Sequence, residues 1–176
     1  NITQTSQAYG GEGDFTSSTL RFAILPSTLQ YIGLGTFANT PSMTALVCKA
    51  TVPPAFMGGS PFSKCDAVFY VPDASVAAYR EASGWIDYAS RIKGISELPY
   101  DNPELYEELK EYIGEVPQYI RFADEEVKRV LMANGVSSDG VGITLADAEK
   151  VTSIGDIFVG NTDITSFDEF RYFTGV

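Results

Sequence analysis

Three stretches decide how the chain is read: TLRFAILP at Thr19–Pro26, SMTALVCK at Ser42–Lys49 and AVFYVP at Ala67–Pro72. Each carries an inward-type pair two positions apart, Ala23 with Leu25, Leu46 with Cys48 and Phe69 with Val71. Each pair lies 23 positions after the one before. The first two stretches align without a gap, Leu20 on Met43, Ala23 on Leu46 and Leu25 on Cys48. Residues two apart on a strand share a face. A fixed period in the range of roughly 20–29 residues is that of a stacked array, in which each turn contributes one short strand and touches only its neighbours. The spacing predicts a short β-solenoid over the amino-terminal half.

Working outward, Leu29, Ile32 and Phe37 extend the apolar lining between the first two strands, and Gly33 and Gly35 permit tight bends. Pro53, Pro54, Gly58, Gly59 and Pro61 predict an irregular loop before the third strand. The first 18 residues, rich in Thr, Ser, Gln and Gly, read as a remnant of an earlier turn or a loose tail. After Pro72 the period turns helical. Asp73 is placed as an N-cap, Val76, Tyr79 and Ala82 share a face, and Gly84 ends the helix. Trp85, Tyr88, Ile92 and Ile95 continue an apolar stripe suited to covering the open end of the array, which would otherwise expose its core. On such an array the strand residues that point outward, Phe22, Thr44 and Tyr70, are the candidate contact residues, against an ordinary surface-packing role for each.

From Ser96 the composition becomes acidic and helical, giving three divisions: a repeat section with helical cap at 1–95, an acidic helical linker at 96–116 and a helix-loop-helix domain at 117–176. In the linker, Asn102 and Pro103 read as N-cap and first helical residue, Gly114 as the stop, and Leu105, Leu109 and Tyr112 as one face. The opposite carboxylates, Glu104, Glu107, Glu108 and Glu111, read as a solvated face. In the last block Asp124 to Met132 is amphipathic through Val127, Val130 and Leu131, and Asn134-Gly135 terminates it. Thr144 with Asp147 and Ser166 with Glu169 have capping-box spacing. Phe158, Phe167, Phe170 and Phe173 supply aromatic packing.

A net charge of −11 over 176 residues argues against nucleic acid, whose phosphates require clustered Lys and Arg, and against anionic membranes. No apolar run approaches the length of a bilayer span. The chain opens on Asn1 in a polar stretch and reads as an excised or processed piece. It contains no His and two Cys, neither at metal-ligand spacing, so no metal, cofactor or catalytic residue is expected. Cys48 reads as a small buried hydrophobe, with a Cys48–Cys65 disulfide as the alternative. Two carboxylates suffice for a glycosidase, but the acidic residues here fall mainly at caps and on helix faces.

The turn Ile32-Gly33 through Phe37 and Met43, the run Val71-Pro72 through Ser75-Val76, Tyr79 and Gly84-Trp85 to Ile92, and the tail Ile164 to Gly175 together resemble the BspA-like leucine-rich-repeat surface proteins of anaerobic gut bacteria. The resemblance covers most of the chain. It implies an α+β architecture: a short leucine-rich-repeat β-solenoid with a capping helix, then a small, mainly helical, degenerate EF-hand or dockerin-like domain. It also implies a non-catalytic, extracellular or cell-surface role in adhesion and protein binding, with a surface protein or glycan as partner, adjoining repeats of a parent chain beside it and no membrane insertion by this fragment. A structural or assembly section of a surface or phage appendage is the alternative, and a carbohydrate-active enzyme a more distant one. The family's calcium loop is degraded here. With Ile143 at its eighth position, Val136, Ser138, Gly140 and Val141 fall at the first, third, fifth and sixth. Asp147 at the twelfth keeps a carboxylate, with Asp139 nearby, so little or no calcium binding is expected.

Overall fold

The computed structural model describes residues 15–176, so the tail reading, as far as it concerns residues 1–14, lies outside the described residues. The chain divides into two compact units, one ending at Val116 and the other Pro117–Val176.

In the first unit the apolar runs form β1 (Phe22–Leu25), β2 (Tyr31–Gly33), β3 (Ala45–Cys48), β4 (Ala55–Met57), β5 (Val68–Val71) and β6 (Ile92–Gly94). These make a four-stranded sheet ordered β1-β3-β5-β6 and a two-stranded sheet of β2 and β4, with every pairing parallel. The 23-residue interval is the pairing register of the larger sheet, since Ala23 lies opposite Leu46, Leu46 opposite Phe69 and Phe69 opposite Ile92. Helices α1 (Val76–Glu81), α2 (Leu98–Asp101) and α3 (Pro103–Ile113) follow, with a 3-10 segment Trp85–Arg91 between the first two.

Both faces of the larger sheet are covered. On one, Leu25, Leu46, Cys48, Phe69, Val71 and Ile92 pack with Tyr79 of α1, Trp85 and Ile32. On the other, Ala45, Val47 and Tyr70 pack under Leu98, Leu105, Leu109 and Ile113. This corrects the expected class. The protein has a small α/β domain with short parallel strands in two sheets and several helices, where an α+β leucine-rich-repeat solenoid presenting a free strand face was expected. The physical reason is that a parallel sheet is stable when helices cover both of its faces, and the helices of residues 96–116 supply the second cover. That segment, expected as an acidic linker, is part of the first unit's core. The expected cap is also different in kind, because Ile92 forms the sheet's fourth strand and Trp85 is a fully buried core residue.

Local chemistry accounts for these elements. Asn102 Oδ1 accepts from Leu105 N–H at 3.1 Å, Pro103 opens α3, and Gly114, with φ 83°, ends it. Tyr79 hydroxyl donates to Ala50 carbonyl at 2.7 Å, and Trp85 Nε1 donates to Pro54 carbonyl at 2.8 Å, so both large buried side chains satisfy their polar atoms. Asp73 does not cap α1. Its Oδ1 accepts from the Ser96 hydroxyl and backbone N–H, and Gly94 leaves the room for it, since a Cβ there would stand 2.2 Å from Asp73 Oδ1.

The second unit contains α4 (Glu125–Ala133), α5 (Leu145–Lys150) and a 3-10 segment Asp168–Tyr172. Its core joins Ile120, Phe122, Val127, Leu131, Ile143, Ala148 and Phe173. Asp124 caps α4 through Oδ1, accepting from Glu126 N–H at 2.9 Å and Val127 N–H at 3.3 Å. Its Oδ2 accepts from Thr165 N–H at 2.6 Å, the Thr165 hydroxyl at 2.9 Å and Ser166 N–H at 3.2 Å, tying the tail to the helix start. Thr144 and Asp147 form the expected capping box. The expected Ser166–Glu169 box does not form, because Glu169 Oε1 accepts from Ala123 N–H at 2.7 Å instead.

Candidate functional site

The first unit carries a cleft of about 210 Å³ lined by Phe56, Gly59, Ser60, Gly84, Asp87 and Tyr88. Phe56, between exposed Ala55 and Met57 on β4, turns its ring inward. It lies 5.0 Å from Trp85, 5.7 Å from Phe62 and 6.3 Å from Tyr88, centroid to centroid. Gly84 has φ +81°, and a Cβ there would stand 2.5 Å from Phe56 Cδ2. Glycine therefore serves twice at this position, in the backbone turn and in leaving the ring its place. Tyr88 hydroxyl and Ser60 Oγ are 2.6 Å apart. The Arg91 guanidinium, 5.0 Å from the Tyr88 ring and 5.1 Å from that of Phe69, donates to Cys65 carbonyl at 2.7 Å. The Tyr88 ring is thus held from behind while Asp87 stays exposed.

A second groove of the same unit, about 430 Å³, runs along the sheet edge and is lined by Phe22, Ala23 and Ile24 of β1 with Glu108 and Tyr112 of α3. Its one carboxylate, Glu108, pairs with Arg21 at 3.6 Å. In the second unit a polar cleft of about 520 Å³ includes Glu126, Arg129, Val159, Asn161 and Asp163. Glu126 is held down to about 2 by hydrogen bonds first from Arg129 and then from Asn161; these are 2.6 and 2.7 Å from Arg129 and 2.7 Å from Asn161.

The three candidate contact residues separate. Phe22 lines the edge groove. Thr44 is exposed, its hydroxyl 3.2 Å from the Arg21 carbonyl. Tyr70 is buried beneath the helices and donates to Asp101 Oδ2 at 3.1 Å; burial, then the Asp101 charge, pushes its hydroxyl well above the ordinary tyrosine range. Tyr70 therefore offers no contact surface, which corrects its expected role. The aromatic cleft was missed in the sequence. Its signal was present in Phe56, Gly59 and Ser60 of the stretch read as an irregular loop.

Cys48 and Cys65 are both free and buried. Burial pushes the Cys48 thiol up, despite the Tyr79 hydroxyl 3.2 Å from its sulfur. In the loop between α4 and α5, Asp139 Oδ1 accepts from Val141 N–H at 2.8 Å and Gly142 N–H at 3.2 Å, and Oδ2 from Tyr119 hydroxyl at 2.5 Å. Burial opposes ionisation of Asp139, but these donors hold it below the usual carboxylate range. Asp147 Oδ2 is taken by Thr144 N–H and hydroxyl at 3.0 and 2.8 Å. Protein donors thus engage both oxygens of Asp139 and Oδ2 of Asp147. Among the described residues no group of three metal-ligating side chains comes together, and no helix is long and apolar enough to cross a membrane. Compared with known proteins, the chain matches no family model and no curated protein sequence.

Proposed function

We propose that the protein is a non-catalytic recognition and adhesion module, extracellular or at the cell surface, whose partner is a surface protein or a glycan. The observation that carries this reading is the aromatic cleft. Phe56 and Tyr88 are fixed from behind by Trp85 and Arg91 and flanked by a single exposed carboxylate, Asp87. A preformed, mainly apolar concavity with a few placed polar groups is the usual form of a binding site. Glycoside hydrolysis needs two carboxylates, one kept protonated by a raised pKa. The aromatic cleft and the edge groove of the first unit offer one each, Asp87 and Glu108; the polar cleft holds two, Glu126 and Asp163, but Glu126 is shifted the opposite way. The resemblance to BspA-like surface proteins in the Trp85 segment and the tail supports the same role.

The edge groove favours a second reading, a structural or assembly section of a surface or phage appendage. An edge strand flanked by half-buried Phe22 and Ile24 and by exposed Tyr112 is where an extended segment of a parent chain or an assembly partner would pair. The test is a glycan and protein array probed with monomeric and clustered protein, beside a polysaccharide hydrolysis screen. Array signals that grow with clustering, with no turnover, support recognition. Turnover that vanishes on replacing one Asp or Glu overturns it.

A further inference from the structure

We infer that the cleft between Phe56 and Tyr88 is a subsite for one pyranose ring of a neutral hexose. The inference rests on the recognition reading and names the ligand class of its aromatic cleft. Size sets the first limit: about 210 Å³ holds a single sugar ring, whereas the pockets that bury drug-sized ligands run to roughly 300–1,000 Å³. Chemistry sets the second. A pyranose presents a patch of C–H groups on one face and hydroxyls around its rim. An aromatic face is electron-rich and suits the weakly positive C–H patch. Phe56 and Tyr88 supply aromatic surface, and their partners fix it, with Trp85 and Phe62 packed on Phe56 and Arg91 on Tyr88.

The rim matches as well. Asp87 provides two acceptor oxygens able to take adjacent sugar hydroxyls, and charge-assisted bonds of this kind are the stronger ones. The Ser60 and Tyr88 hydroxyls, already 2.6 Å apart, give a pair in which one oxygen accepts while the other donates. Charge selects within the class. Asp87 and the overall charge of −11 repel uronic and sialic acids, while Arg91, packed on the Tyr88 ring, is engaged with the Cys65 carbonyl and two rings. Gly84 keeps the site open, because any side chain there would displace the Phe56 ring.

One ring with few polar contacts binds weakly, with a Kd of roughly millimolar order, so clustering or a longer glycan would supply working affinity. The test is an amide NMR titration of the whole protein with the methyl glycosides of glucose, galactose and mannose, with glucuronic acid as the charged comparator. The expected result is saturable shifts for at least one neutral hexoside, confined to residues 56–60 and 84–88. Asp87→Ala should weaken it about tenfold, the loss of a charge-assisted hydrogen-bond pair, and glucuronic acid should bind more weakly than the neutral sugar. Tyr88→Phe, which keeps the ring, should weaken binding while lowering the Trp85 fluorescence melt by no more than about 4 °C, the cost of the one hydrogen bond it loses to Ser60. Absence of saturable shifts with every neutral hexoside, shifts centred elsewhere, or a Kd unchanged in both variants would overturn the subsite. If hexosides are silent while the array finds a protein ligand, the subsite falls and the recognition reading stands.

Discussion

Replacing Leu109 with Ala tests the layer that most separates this fold from a free strand face. Leu109 is fully buried at the centre of the α3 face that covers Ala45, Val47 and Tyr70. Truncating a buried leucine costs about 2–5 kcal/mol, the spread reflecting how far the surroundings collapse into the space. Here collapse is restricted. α3 is fixed at its start by the Asn102 cap, and Lys49 Nζ donates to the Tyr112 carbonyl at 3.1 Å near its end. A loss of about 3 kcal/mol is therefore expected, and for a unit of this size that lowers Tm by about 12 °C. Tyr112→Ala is the matched control on the same helix. Tyr112 is 67% exposed, so its loss should cost no more than about 0.5 kcal/mol, or about 2 °C. The chain has a single tryptophan, Trp85, and it lies in the first unit, so a fluorescence melt follows this unit without interference from the other. Melts of both variants within about 3 °C of the parent would mean that α3 does not cover the sheet.

Leu46→Asp should unfold the first unit, since Leu46 is fully buried and an unpaired buried carboxylate costs several kcal/mol, whereas exposed Thr44→Asp should be mild; equal losses in the Trp85 melt would make the strand register wrong. Acid should destabilise the second unit. Asp124 falls from an ordinary 3.8 and Glu126 from 4.5, each to about 2 in the fold, Asp124 chiefly through Thr165 N–H. Depressed carboxylates stabilise fully above their unfolded values, and that contribution is lost as pH falls through the folded ones. The loss should therefore run from about pH 4.5 down to about 2 in an amide NMR titration, and a slope unchanged in Asp124→Asn would count against it. Millimolar calcium or chelator should leave the melting of the second unit unchanged when followed by circular dichroism, and a rise of many degrees with calcium would contradict the occupied oxygens of Asp139 and Asp147.

The 23-residue interval was legible because strand pairing in a parallel sheet repeats whatever spacing separates equivalent strands, and four strands keep the same one. The caps at Asn102, Asp124 and Thr144 were legible for a local reason: each needs only its own side chain and the next few N–H groups. What misled was the reading of ALVC and VFYV as alternating strands with one free face. Ala45, Val47 and Tyr70 make those runs continuous in burial as well as in sequence, which is the mark of a strand covered on both sides. The cover came from Leu105, Leu109 and Ile113, on a helix whose four glutamates drew attention to its other face. Glu169 was misread because capping-box spacing is local, while its actual partner, Ala123 N–H, lies far back in the chain.

With both faces of the sheet covered, the proposed recognition role falls to other parts of the first unit. A solenoid with a free strand face was expected to display Phe22, Thr44 and Tyr70, but Tyr70 is sealed beneath the helices. The surface left for a partner lies where the covering stops: along the edge of β1, and at the turns where the two-stranded sheet meets the Trp85 segment. Both places hold concavities, and they differ in chemistry. The β1 edge sets strand backbone beside Phe22, Ile24 and Tyr112, with its carboxylate, Glu108, paired to Arg21, which suits an extended peptide. The Phe56–Tyr88 cleft is lined by two part-buried rings and a carboxylate, which suits the proposed polyhydroxylated ring. The cleft's rings are also continuous with the core, since Phe56, Phe62, Phe69, Trp85 and Tyr88 contact one another at 4.7–6.3 Å. The packing that stabilises the unit also holds the cleft in shape, so the proposed ligand would meet a surface that needs little ordering on binding.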